Sequence, residues 1–76
     1  MKNMNEEERI KALQYEIEKQ IKEVKQAKTI FVVHTTCGII IADDYRFGQY
    51  FEEYVDLYRD KTLIAIINIW NIEYID

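Results

Sequence analysis

The amino-acid sequence predicts an α+β fold, with a long N-terminal helix followed by a small, strongly bent, five-stranded antiparallel barrel. Three observations carry the prediction. The composition changes abruptly at Lys28/Thr29, from a charged, Gln-rich stretch to a β-branched and aromatic one. Before the break, apolar residues recur every three or four positions, as on one face of a helix. After it, β-branched runs recur at a spacing of about ten residues, separated by turn signals.

The helix is expected over residues 4–27. Asn5 followed by Glu8 is a capping-box pair, in which the Asn5 side chain accepts from the Glu8 amide. Glu6, Glu7 and Glu8 lie at the positive end of the helix dipole, and Lys22, Lys25 and Lys28 toward its negative end. Ile10, Leu13, Ile17, Ile21 and Val24 form one narrow apolar stripe, with Gln20 and Ala27 at the alternate positions of a strict seven-residue repeat. Glu7–Lys11 and Glu18–Lys22 add i,i+4 pairs worth roughly 0.2–0.5 kcal/mol each. Such a stripe either packs on the chain's own β-module or joins a second chain in a short coiled coil. About 23 residues at 1.5 Å rise reach roughly 35 Å, longer than a small barrel is wide. Part of the stripe then needs a partner, so self-association through these five residues is the expectation. Tyr15 lies off the stripe.

After the break, residues 29–35 (TIFVVHT) and 38–43 (GIIIAD) are β-branched runs joined at Thr36-Cys37-Gly38, where Gly38 can supply an unusual backbone angle. Residues 62–69 (TLIAIINI) and 72–75 (IEYI) form two more, broken at Trp70-Asn71. The 62–69 run is apolar on both faces and needs cover on both sides. Residues 45–58 admit two readings. Phe47, Tyr50, Phe51, Tyr54, Val55 and Tyr58 fit a helical face with Asp44 as N-cap, which would give an α-β-β-α-β order. Gly48 inside the first turns and the abundance of Tyr, Phe and Val favour a strand over 50–58, joined to 62–69 through Arg59-Asp60-Lys61. The strand is the preferred reading.

A helix followed by five short strands resembles the order of the small SH3-like and Sm-like barrels. Gly38 matches the glycine that Sm-like proteins carry between their first two strands; Asp43 stands where they carry a second one. The resemblance implies the barrel. It does not bring RNA binding with it, because the basic and amide residues of the Sm RNA-binding loops are missing. The segment YVDLYRDKTLIAIINIWNIEYI is similar in pattern to the C-terminal hairpin of small phage and Gram-positive proteins of this shape.

The chain has 76 residues and one cysteine, Cys37. A single core of that size barely offsets the conformational entropy of folding, and one Cys cannot form an intramolecular disulfide. Self-association is the remaining stabilising device. Residues 1–28 hold no apolar run, so neither a signal peptide nor a membrane span is expected and a cytoplasmic location is. The net charge of −4 is unevenly placed: seven Lys/Arg against six Glu before the break, three basic groups against eight acidic ones after it. An acidic β-module repels phosphates, which disfavours nucleic acid as a partner.

His34 and Cys37 are the one pair resembling a site. A metal needs further His or Cys ligands that the chain lacks, and the two side chains flank a turn with no orienting third group. A half-buried Cys and a strand His are the simpler reading, and neither a metal nor a cofactor is expected. Asp43, Asp44, Glu52, Glu53, Asp56 and Asp60 interleave with Tyr45, Tyr50, Tyr54 and Tyr58. By default these carboxylates form a solvated face. Tyrosine offers contact area at low entropic cost and the carboxylates steer a basic partner, so the same stretch also describes a protein-binding face. Trp70 reads as a core plug.

The sequence therefore describes a small, non-enzymatic, homo-oligomeric binding protein that engages another protein through Asp43, Asp44, Tyr45, Tyr50, Glu52, Glu53, Tyr54, Asp56 and Tyr58. The resemblance of its C-terminal hairpin makes a phage-derived inhibitor or adaptor the concrete version. Rivals are a binder of a nucleotide signal, a phosphate mimic that blocks a nucleic-acid enzyme, and an Sm-like RNA binder.

Overall fold

A computed structural model describes residues 5–48 and 52–76. In chain order these form α1 (Glu6–Lys25), β1 (Phe31–Thr35), β2 (Gly38–Ala42), β3 (Asp44–Phe47), β4 (Tyr54–Arg59), β5 (Thr62–Asn68), a 3₁₀ turn (Ile69–Asn71) and β6 (Ile72–Ile75).

The helix starts where its cap lies: Asn5 is extended and its Oδ1 accepts the Glu8 N–H at 2.8 Å. Ile10, Ile17 and Ile21 turn inward and meet Phe31 and Val33 of β1, Ala42 of β2, Val55 and Leu57 of β4, Ile69 and Ile75 in one core. Leu13 and Val24 pack at its margin. The helix lies chiefly against β6, β1 and the 3₁₀ turn, and its polar residues tie it down. The Gln20 Oε1 accepts the Ile75 N–H at 2.9 Å, and Gln14 Nε2 donates to the Glu52 carbonyl at 3.2 Å.

Two antiparallel sheets of three strands follow, ordered β2-β1-β6 and β3-β4-β5. The first hairpin places Thr35 opposite Gly38, whose φ of 138° is open to glycine but rarely to other residues. The second places Arg59 opposite Thr62 across Asp60 and Lys61, both with positive φ (52° and 66°). That is the backbone of a type I′ turn, whose twist matches the flanking strands.

This architecture corrects the expected five-stranded barrel. Six strands form, in two separate sheets, and neither closes into a barrel. The difference arises at Asp43, where the predicted run 38–43 ends and the chain passes from one sheet to the other. Its N–H donates to the Tyr58 carbonyl at 2.9 Å, its Oδ2 accepts the Asp60 N–H at 2.9 Å, and its carbonyl accepts Lys25 Nζ at 2.8 Å. The strand that starts at Asp44 therefore pairs with β4 and not with β1. The alternative with a second helix over 45–58 does not form either: 44–47 and 54–59 are strands, while Gln49, Tyr50 and Phe51 lie outside the described residues.

Candidate functional site

Strand alternation sorts the residues expected to bind a partner. In β3, Tyr45 and Phe47 face the core and Asp44 and Arg46 face outward. In β4, Val55 and Leu57 face inward, leaving Tyr54, Asp56 and Tyr58 on the other side. The register sets Asp44 directly opposite Tyr58 and Arg46 directly opposite Asp56. Asp44, Tyr54, Asp56 and Tyr58 thus share the outer face of one sheet.

The remaining candidates are dispersed. Asp43 is the hinge between sheets, and its carboxylate is engaged by the Asp60 amide. Glu52 and Glu53 precede β4, where the Glu53 carbonyl accepts the Ile69 N–H at 2.8 Å. Tyr50 lies outside the described residues. Tyr45 points inward and donates its hydroxyl to Glu18 Oε1 of α1 at 2.7 Å, with its ring edge-on to Phe31 and Phe47. Burial first, and then this bond, push the Tyr45 phenol well above its ordinary range. The same bond holds the Glu18 carboxyl below its usual range, opposed by partial burial and helped by Lys22. Tyr45 is a helix-to-sheet tie, not a contact surface.

Asp56 is the exception to the reading of these carboxylates as a solvated face. It is 1% exposed, and neither carboxylate oxygen has a hydrogen-bond partner. Loss of water raises its pKa, while the positive charge of Arg46 across the strand pulls the other way. A carboxylate interleaved with tyrosines was visible in Tyr54-Val55-Asp56-Leu57-Tyr58; its burial and its place opposite Arg46 were not.

Continuing outward across the same sheet, β5 adds Leu63, Ile64 and Ile66, exposed at 37%, 44% and 40%. The face is therefore half aliphatic and open, where the two-sided apolar pattern of 62–69 had implied cover on both sides. An open polar cleft of about 660 Å³ borders it, lined by Lys25, Asp43, Asp44, Arg46, Tyr58, Asp60 and Lys61.

The other sheet has its own outer face. His34 stacks on Tyr74 with ring centroids 4.0 Å apart, and its Nε2 lies 3.0 Å from Asp76 Oδ1. Ile39 stands opposite His34 and Ile41 opposite Val32. Cys37 is exposed at the hairpin tip, beside the Thr36 hydroxyl, rather than half-buried. Trp70 is no core plug: it is 42% exposed and lies under the Arg9 guanidinium, 5.5 Å from the ring centroid.

The stripe expected to join chains is placed inside this chain's own core, with Ile21 fully buried and Ile17 nearly so. Self-association through Ile10, Leu13, Ile17, Ile21 and Val24 would require undocking α1. Among the described residues no cluster of three or more His, Cys, Asp or Glu is placed to hold a metal, and no helix is long and apolar enough to cross a membrane. No family model matches the chain, and no curated protein or solved structure is similar enough to it to assign a family.

Proposed function

We propose that the chain is a small, cytoplasmic, non-enzymatic binding protein, acting as an inhibitor or adaptor, that presents the outer face of β3-β4-β5 to a basic protein partner. The observation that supports this reading is the alignment of Asp44, Tyr54 and Tyr58 on one side of that sheet, over the buried Asp56 and flanked by exposed Leu63, Ile64 and Ile66. Aromatic and aliphatic area supplies the desolvation energy of an interface. The charge balance of residues 29–76, three basic against eight acidic, steers a basic partner toward it. Affinity capture from the native host tests the proposal, using the wild type, the double variant Asp44→Lys/Tyr58→Ala, and Glu16→Lys on the exposed face of α1 as a charge control. A protein captured by the wild type and by Glu16→Lys but lost with the double variant supports the face. One retained by all three places the contact elsewhere.

A further inference from the structure

We infer that β5 is a self-association edge, pairing antiparallel with β5 of a second copy about a two-fold axis at Ala65. The inference does not rest on the partner-binding proposal.

Three observations converge on this strand. First, the sheet order β3-β4-β5 gives β5 a neighbour on one side only. An open strand edge is a template for pairing unless it is blunted by charge, proline or cover. β5 (TLIAIIN) runs for seven residues without a charge or a proline. Its one irregularity is the register shift opposite Leu57/Tyr58.

Second, two of the other three edges are engaged, and the third is shorter. The Gln20 side chain of α1 takes the Ile75 N–H of β6. In β3 the Asp44 carboxylate takes the Tyr45 N–H at 2.9 Å. β2 is likewise an uncharged edge, but it offers five residues against the seven of β5.

Third, the occupant is set by charge and register. Copies of a chain at −4 repel one another over their acidic surface, and β5 offers them a neutral line of approach. Antiparallel pairing about Ala65 brings Ile64 opposite Ile66 of the second copy, so the exposed isoleucines cover one another in two equivalent places. A two-fold contact of this kind is isologous and closes at two chains, whereas an unequal pair of edges would propagate. The result is a continuous six-stranded sheet with the outer faces of both copies on the same side. Two sets of Asp44, Tyr54 and Tyr58 are then presented together.

Light scattering with size-exclusion chromatography tests the pairing. The wild type is expected at the mass of two 9.2 kDa chains. Ile64→Lys/Ile66→Lys sets like charges opposite each other across the axis and is expected to run as a monomer with an unchanged circular dichroism spectrum. Within one chain this variant is tolerable, because position 66 stands opposite Asp56. Ile39→Lys, on the outer face of the other sheet, is expected to remain a dimer. A wild type that is monomeric at every concentration, a mass other than two chains, or a dimer that survives the double variant overturns the inference. If the double variant does not fold, nuclear Overhauser contacts between labelled and unlabelled wild-type copies decide. Ile64–Ile66 contacts between chains support the pairing, and contacts confined to other strands overturn it.

Discussion

Asp60 and Lys61 join β4 to β5 with both φ angles positive, a conformation that costs an ordinary L-residue roughly 1–2 kcal/mol and glycine almost nothing. Asp tolerates it better than Lys, because its short polar side chain bonds locally. Lys61→Gly is therefore expected to stabilise the chain by about 0.5–1 kcal/mol, read as a higher urea midpoint at constant slope. Asp56 presents the opposite case, a buried carboxylate without a hydrogen-bond partner. Its folded pKa is raised, so the folded state binds this proton more tightly than the unfolded state does. Stability from this group is full below the ordinary carboxylate value of about 4 and declines as pH rises through the folded value. Asp56→Asn removes the ionisation. It is expected to be more stable than the wild type at pH near 7, with the difference shrinking in acid, as measured by urea denaturation at both ends of that range.

At the scale of elements, α1 is a wall of the core and not an appendage. Ile21 is fully buried, and truncating it to Ala is expected to cost about 2–4 kcal/mol, a large part of what holds a small domain together. Ile17→Asp places a carboxylate at a position only 4% exposed and is expected to abolish the cooperative thermal transition instead of releasing a folded monomer. Tyr15→Ala, 66% exposed on the outer side, is expected to change stability by less than about 0.5 kcal/mol. The helix was legible in the sequence because its signals are local: the Asn5 cap, the charged ends and the stripe all lie within the element. The hairpin turns at Gly38 and at Asp60-Lys61 were legible for the same reason. The passage between sheets was not. It is decided by Asp43 bonding to Tyr58 and Asp60, fifteen or more residues away, and no local pattern marks a strand that will leave its sheet. The acidic, tyrosine-rich stretch was legible only as composition. Alternation then sends Tyr45 to Glu18 and puts Asp44, Tyr54 and Tyr58 on the outer side of the sheet, with Asp56 buried among them.

At the scale of the whole molecule, ten apolar residues are buried and nine large apolar side chains remain exposed among the described residues. A chain of this length buries little of its own surface, so a second copy paired on β5 would add materially to its stability. If β5 pairs as inferred, unfolding converts one dimer into two unfolded chains, and mass action ties stability to concentration. Each tenfold rise in concentration then adds about 1.4 kcal/mol per dimer, or about 0.7 kcal/mol per chain. For a domain of this length, 1 kcal/mol moves the melting temperature by roughly 4–8 °C, so the expected rise is about 3–6 °C per tenfold step. Differential scanning calorimetry over several such steps measures it. Ile64→Lys/Ile66→Lys is expected to melt lower than the wild type and at one temperature throughout. A wild-type melting temperature independent of concentration means that the exposed isoleucines of β5 do not hold two copies together.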